Sequence, residues 1–141
     1  MIIKQLSVFL QNKTGRLTEL TRTLSENGIN MTAFSIADTA DYGIVRFIVP
    51  QPEVALRILK EKGFSVNTTD VICLIVPNEP GGLYRALQVL SDNQVPIEYM
   101  YAFASDNGAS VVIRSESNEQ VIQVLQANRI QLMRASEIYK I

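Results

Sequence analysis

The sequence contains no histidine, no tryptophan and a single cysteine, Cys73. Without histidine there is no Ser-His or Cys-His pair and no Cys/His metal cluster. One cysteine excludes an intramolecular disulfide and fits a reducing compartment, so a cytoplasmic location is expected. Cys73 stands between Ile72 and Leu74, where a buried, inert thiol is expected. Excess charge is missing too: 13 Lys and Arg face 14 Asp and Glu, with no run of one sign. The pI near 5.4 argues against nucleic acid, whose binders need a basic stripe. No apolar run approaches the ~20 residues of a membrane span. The start of the chain does not read as a signal, because Leu6-Ser7-Val8 leads straight into a repeat. Gly81-Gly82 is followed by Leu83, not by the lysine of a Walker loop. Asp38 and Asp41 read as hairpin-turn residues, not as an acid and base. No metal, no cofactor and no catalysis are expected.

What is present is a duplicated motif. Asn12-Lys13-Thr14-Gly15-Arg16-Leu17 returns as Asn78-Glu79-Pro80-Gly81-Gly82-Leu83, an offset of 66 (78 − 12). The offset also aligns Leu24, Ser25 and Asn27 with Leu90, Ser91 and Asn93. It aligns Val45, Glu53 and Leu59 with Val111, Glu119 and Leu125. Such a period means two copies of one structural unit. Residues 1–69 and 70–141 are the expected units. Each is marginal alone, since a domain this small buries only about 60% of its unfolded surface. No Gly/Pro/Ser-rich linker separates them, so one compact body with a fixed mutual orientation is expected.

Each copy has the same order of elements. Ile2 to Leu10 reads as a strand that stops at the Asn12–Gly15 turn. Leu17, Leu20, Thr21 and Leu24 then recur at helical spacing, as do Leu83, Ala86, Leu87 and Leu90. Asn27-Gly28 reads as a left-handed helix cap, with Asn93 expected in that conformation in copy two, where Gln94 replaces the glycine. Ile29–Ala37 and Ile44–Val49 read as strands joined by a turn over residues 38–43. The matching turn contains Asn107-Gly108, a hairpin signal. Pro52 opens a second helix with Ala55, Ile58 and Leu59 on one face, matched by Val121, Val124 and Leu125. Phe64–Thr69 reads as a fourth strand. The order β-α-β-β-α-β, twice, is an α+β, ferredoxin-like fold with antiparallel sheets and helices on one face.

A strand-to-helix turn favours Asn and Gly for structural reasons alone. The position of this one adds a chemical reading. Unpaired amides and the positive dipole end of a helix favour an anion. Asn12 and Asn78 each offer a donor and an acceptor. A group that gives and takes suits a zwitterion, with second-strand carbonyls left for the ammonium. A free amino acid fits better than a phosphate.

A β-α-β-β-α-β unit with an (Asp/Asn)-x-Pro-Gly-x-Leu turn after its first strand resembles the ACT domain. Over nearly its whole length the chain resembles a small stand-alone protein of two tandem ACT domains. ACT domains are typically regulatory modules that bind amino acids or other small effectors. The resemblance implies units side by side, joined through their second strands into one eight-stranded sheet. It implies effector sites between the Gly turn of one domain and the second strand of the other. One site would use Asn12, Thr14, Gly15, Arg16 and Leu17, completed by Pro96, Ile97 and Glu98. The other would use Asn78, Pro80, Gly81, Gly82 and Leu83, completed by Asn30, Met31 and Thr32. Thr14 stands where the motif has proline, and Asn replaces the commoner Asp twice. Arg16 against Gly82 predicts sites of unequal affinity.

Tyr99, Tyr101 and Phe103 alternate and share one sheet face, opposite Ala33, Ser35 and Ala37 in the other copy. Such a stripe is core by default. Left uncovered, it favours a homodimer. As an RNA-stacking platform it conflicts with the acidic pI. Three functions follow for weighing. The first is a non-catalytic sensor of a free amino acid at the interface of two ACT-like units. The second is an adaptor that regulates a separate enzyme or transcription factor by contact, with vestigial ligand binding. The third is an acylphosphatase-like enzyme, which the loss of Arg16's counterpart in copy two weakens. Nucleic acid and membrane are not expected partners.

Overall fold

The computed structural model describes residues 1–38, 41–105 and 108–140. In order along the chain, the elements are β1 (Ile3–Gln11), α1 (Arg16–Glu26), β2 (Ala33–Asp38), β3 (Tyr42–Ile48), α2 (Pro52–Glu61) and β4 (Ser65–Val76). Then follow α3 (Gly82–Asp92), β5 (Tyr99–Ser105), β6 (Gly108–Arg114), α4 (Asn118–Ala127), β7 (Gln131–Leu132) and α5 (Ala135–Ile138). The chain divides into two compact units. One is Lys4–Thr69 with the chain end from Ile138, and the other is Asp70–Glu137 with Met1–Ile3. We call them the N-terminal and C-terminal units.

In the N-terminal unit β3 lies between β1 and β2 and is antiparallel to both. In the C-terminal unit β6 lies between β4 and β5, again antiparallel to both, and β7 pairs with β4. Alternation decides which side chains meet the helices. Leu6, Val8 and Leu10 of β1 join Val45 and Phe47 of β3, Leu20 and Leu24 of α1, and Ala55 and Leu59 of α2 in one core. Ile72, Leu74 and Val76 join Val111, Ile113, Ala86, Leu90, Val121 and Leu125 in the other. Each such buried leucine contributes about 1.5–3 kcal/mol.

Four expectations change. Phe64–Thr69 and Val71–Val76 are not two strands but one, β4, which runs unbroken through the division at Thr69–Asp70. The continuous β-branched run Val71-Ile72 gives the chain no reason to turn there. The described residues therefore hold seven strands, not eight. The second strands begin later than Ile29. The ladder starts at Ala33 opposite Ile48, because β3 ends before Pro50 and leaves no partner upstream. Residues 29–32 are a loop. In the α1 stripe, Leu20 and Leu24 are buried but Leu17 is 40% exposed and Thr21 is exposed. The left-handed residue after α3 is Gln94, at φ 57, while Asn93 keeps φ −98. Chain direction requires the turn one residue after the cap, whatever stands there. Gln94 thus repeats Gly28, at φ 68. The hairpin residue Asn107 and part of the 38–43 turn lie outside the described residues.

Cys73 is fully buried on β4. Burial pushes its thiol up to about 12, with a hydrogen bond from the Val111 backbone opposing. Among the described residues no group of acidic, His or Cys side chains could hold a metal. No helix there is long and apolar enough to cross a membrane.

Candidate functional site

The two motif turns have nearly the same backbone. Gly15 has φ 94 and ψ −14, and Gly81 has φ 89 and ψ −11. Both values lie in the left-handed region, which a side chain would strain. In the first turn Lys13 N–H donates to Gln11 O at 2.8 Å and Arg16 N–H to Lys13 O at 3.3 Å. In the second, Glu79 N–H donates to Pro77 O at 2.9 Å and Gly82 N–H to Glu79 O at 3.1 Å. Helical bonding starts with Glu19 N–H to Gly15 O and Arg85 N–H to Gly81 O. The amides of Leu17 and Leu83 thus precede the first helical bond, in the position that favours an anion.

Side chains distinguish the turns. Asn12 Nδ2 donates to Asp38 Oδ1 at 2.6 Å, and Asn12 N–H donates to Asp41 O. Its amide donor is engaged before any ligand arrives. Asp38's counterpart in the repeat is Ala104, and among the described residues no carboxylate is hydrogen-bonded to Asn78 as Asp38 is to Asn12. Arg16 also turns inward. Its guanidinium pairs with Glu19 and lies over the Phe64 ring, 5.8 Å from the centroid. It lines a groove against the end of α2. Gly82 is buried and its neighbour Leu83 packs on the core, whereas Leu17 does not. Thr14 and Pro80 are both exposed.

The remaining candidate residues occupy the loops that lead into β2 and β5. Within one unit, turn and loop stand at opposite ends of the first helix, since α1 separates Gly15 from Asn30 and α3 separates Gly81 from Pro96. A helix of 11 residues spans about 16 Å. No single unit brings its own turn and loop together. In the loop before β5, Ser115 Oγ donates to Pro96 O at 2.9 Å, and Ile97 packs on the core. Arg114 Nε lies 3.4 Å from Glu98 Oε2, and Glu98 N–H donates to Arg114 O. Glu98 is therefore already paired, and Arg114 is a residue that sequence reasoning missed. Nothing in the sequence spacing marks it, because its counterpart is Ile48. In the loop before β2, Thr32 N–H donates to Ile48 O at 2.8 Å. Thr32 Oγ1 is buried without a hydrogen-bond partner.

Beside these loops lie two matching grooves, the first of mixed lining and the second mainly apolar. One, of ≈ 520 Å³, lies between α1 and β2 and includes Leu24, Ile29, Met31 and Phe34. The other, of ≈ 280 Å³, lies along α3 and includes Tyr84, Leu87, Val95 and Ile97. Phe34 is 62% exposed, Ile36 51% and Tyr84 66%. Tyr99, Tyr101 and Phe103 are half-buried. They oppose Arg114, Val112 and Ser110, on the sheet face away from the helices.

Two βαββαβ units, each with a left-handed glycine turn before its first helix, repeat one fold in tandem. The family model for the ACT domain pair matches residues 1–141. The chain belongs to that family, whose ACT domains are regulatory and not catalytic. A crystal structure of a protein from Bacteroides thetaiotaomicron is 48% identical, covering 100% of this chain and 98% of that one, with a TM-score of 0.95. The ligand-free regulatory subunit of aspartate kinase from Thermus thermophilus is 17% identical with a TM-score of 0.64. It covers 88% of this chain and 91% of its own. The regulatory subunit from Thermus flavus gives 15% identity and 0.60, over 88% and 90%. At these identities the kinase subunits show the shared fold. No curated protein matches the chain.

Proposed function

We propose that this protein is a cytoplasmic amino-acid sensor that regulates a separate partner protein. The observation that carries the reading is the duplicated turn, Gly15 at φ 94 and Gly81 at φ 89, each presenting the first amides of a helix. The effector's carboxylate meets those amides. Its ammonium meets the Asn side chain and the carbonyls of a loop that leads into a second strand. Names of the aspartate kinase subunits support regulation as the family's business.

The two sites are unequal in this reading. Asn78, Pro80, Gly81, Gly82 and Leu83, completed by Asn30, Met31 and Thr32, form the stronger one. Among the described residues Asn78 has no carboxylate partner like that of Asn12, Gly82 brings no side chain, and Thr32 Oγ1 is a buried oxygen without a hydrogen-bond partner. Buried polar atoms are rarely left unpaired. Asn12, Thr14, Gly15, Arg16 and Leu17, with Pro96, Ile97 and Glu98, form the weaker one. There Asn12 and Glu98 are engaged by Asp38 and Arg114, and Arg16 pairs with Glu19 while its buried Nε has no partner.

Thermal melting against free amino acids tests the reading. A ligand at a hundred times its dissociation constant adds about 2.7 kcal/mol, a midpoint shift of roughly 5–10 °C for this size. Asn78→Leu is expected to abolish the shift and Asn12→Leu to reduce it little. A flat response to every amino acid would refute the sensor. The exposed Phe34, Ile36 and Tyr84 favour one second reading, an adaptor that works through apolar contact with itself or another protein. That reading gains if no amino acid shifts the midpoint and Phe34→Ser lowers the molar mass seen by light scattering.

A further inference from the structure

The two units carry equivalent grooves that have diverged in charge. Each lies between the start of the unit's first helix and the turn that ends its second helix. In the N-terminal unit the groove is ≈ 320 Å³, with Arg16, Glu19, Gly63 and Phe64 in its lining. In the C-terminal unit it is ≈ 270 Å³, with Gly82, Arg85, Arg129 and Ile130 at the matching places.

The N-terminal groove mixes both signs, for Arg16 pairs with Glu19 over Phe64 and the lining also holds Arg22, Glu26 and Lys62. In the C-terminal groove Arg85 replaces Glu19 and Arg129 replaces Gly63. The lining then holds two arginines and no acid. Glu79, 3.1 Å from Arg85, stands outside the lining and answers one of the two charges. Arg129 has no ion pair among the described residues. It also holds φ 59 where the N-terminal unit has Gly63 at φ 84, a conformation that disfavours any side chain. The floor stays open because Gly82 has no side chain. Both arginines line this one groove, so their like charges add there and favour an anion. Each offers the forked N–H donors that match a carboxylate or phosphate.

We propose that this groove is a second ligand site, adjoining the amino-acid turn at Gly82, that binds a small oxyanion between Arg85 and Arg129. Carboxylate and phosphate share the chemistry, and the experiment separates them. Amide resonances of the full chain are followed while inorganic phosphate, and separately succinate, is added. Movement is expected at Gly82, Arg85, Arg129 and Ile130, and the tighter ligand names the source. Arg129→Gly and Arg85→Glu each rebuild a residue of the N-terminal groove. Each is expected to weaken binding about tenfold, the loss of one charge-assisted contact. Arg129→Gly also relieves the backbone, so a folding defect does not cloud the result. An unmoved groove in both titrations, or undiminished binding in both variants, overturns the proposal. The thermal shift by amino acids is expected to survive Arg129→Gly, so the two sites stand or fall separately.

Discussion

Gly82→Ala is the sharpest test of the packing at the second turn. A Cβ at residue 82 would lie 2.1 Å from the Pro77 carbonyl oxygen and 3.2 Å from its carbon. Ordinary carbon–oxygen contacts begin at about 3.3 Å, so the turn and the start of α3 must separate by roughly 1 Å. Both sides of the clash are backbone, and no side-chain rotamer relieves it. Overpacking costs about 1–3 kcal/mol, and this case belongs at the upper end. About 3 kcal/mol lowers the midpoint of a chain this size by roughly 10 °C. Urea unfolding followed by circular dichroism checks it. The midpoint concentration is expected to fall with the slope unchanged. If the two units melt separately, only the C-terminal transition moves. Arg16→Ala is the control at the matching position. It removes an exposed ion pair and a cation–π contact, together worth about 1 kcal/mol. A Gly82→Ala variant within about 0.5 kcal/mol of the parent, or an Arg16→Ala effect of equal size, refutes the reasoning.

Gln94→Gly should stabilise the protein by about 1 kcal/mol, since Gln94 holds φ 57 at a left-handed cost glycine avoids; differential scanning calorimetry reads the gain. Gly108→Ala should be as harmful as Gly82→Ala. Gly108 has φ 124, and its Cβ would lie 2.6 Å from Val76 O. Cys73 should resist a thiol reagent at pH 8 in the native protein and react on denaturation, because burial raises its pKa. The sign of its linkage follows. A raised folded pKa gives stability that is present below about 9 and lost as pH rises toward about 12. Cys73→Val should flatten that alkaline loss relative to the parent in urea titrations.

The local rules in the sequence carried the element order and the cores. Helical spacing placed Leu20, Leu24, Ala86 and Leu90 on buried faces. Pro52 opens α2 as expected, and the two motif glycines adopt a conformation that their freedom permits. What was not legible depends on partners distant in sequence. Asn12 reads as free until Asp38 is seen 26 residues away. Glu98 reads as a ligand charge until Arg114 is placed beside it by the β5–β6 register. The start of β2 depends on where β3 ends, which no property of residues 29–32 reveals. Leu17 shows the same limit. It fits the helical stripe, yet 40% of it stays in solvent, because periodicity finds a face and not the edge of the core.

The copies diverge in how far each satisfies itself. At the turn the N-terminal unit is the more self-paired, whereas at the loop before the second strand the order reverses, with Glu98 paired to Arg114 and Thr32 Oγ1 without a partner. Asn12 has Asp38, whereas the residue that matches Asp38 in the second copy is Ala104. Arg16 has Glu19 and Phe64, whereas Gly82 offers no side chain and Arg85 shares its groove with Arg129. Internal partners lower the gain from binding, since a ligand must first displace them. The same substitutions that preserve a turn's backbone therefore change its capacity to bind. Asn12→Asp tests this directly. It sets a carboxylate against Asp38 and breaks the 2.6 Å hydrogen bond. If internal pairing is what silences the N-terminal turn, Asp38→Ala should then raise its amino-acid affinity, and Asn12→Asp with Asp38→Ala should raise it further. Calorimetry showing no heat from that turn in either variant would mean that the turn lacks more than a free side chain.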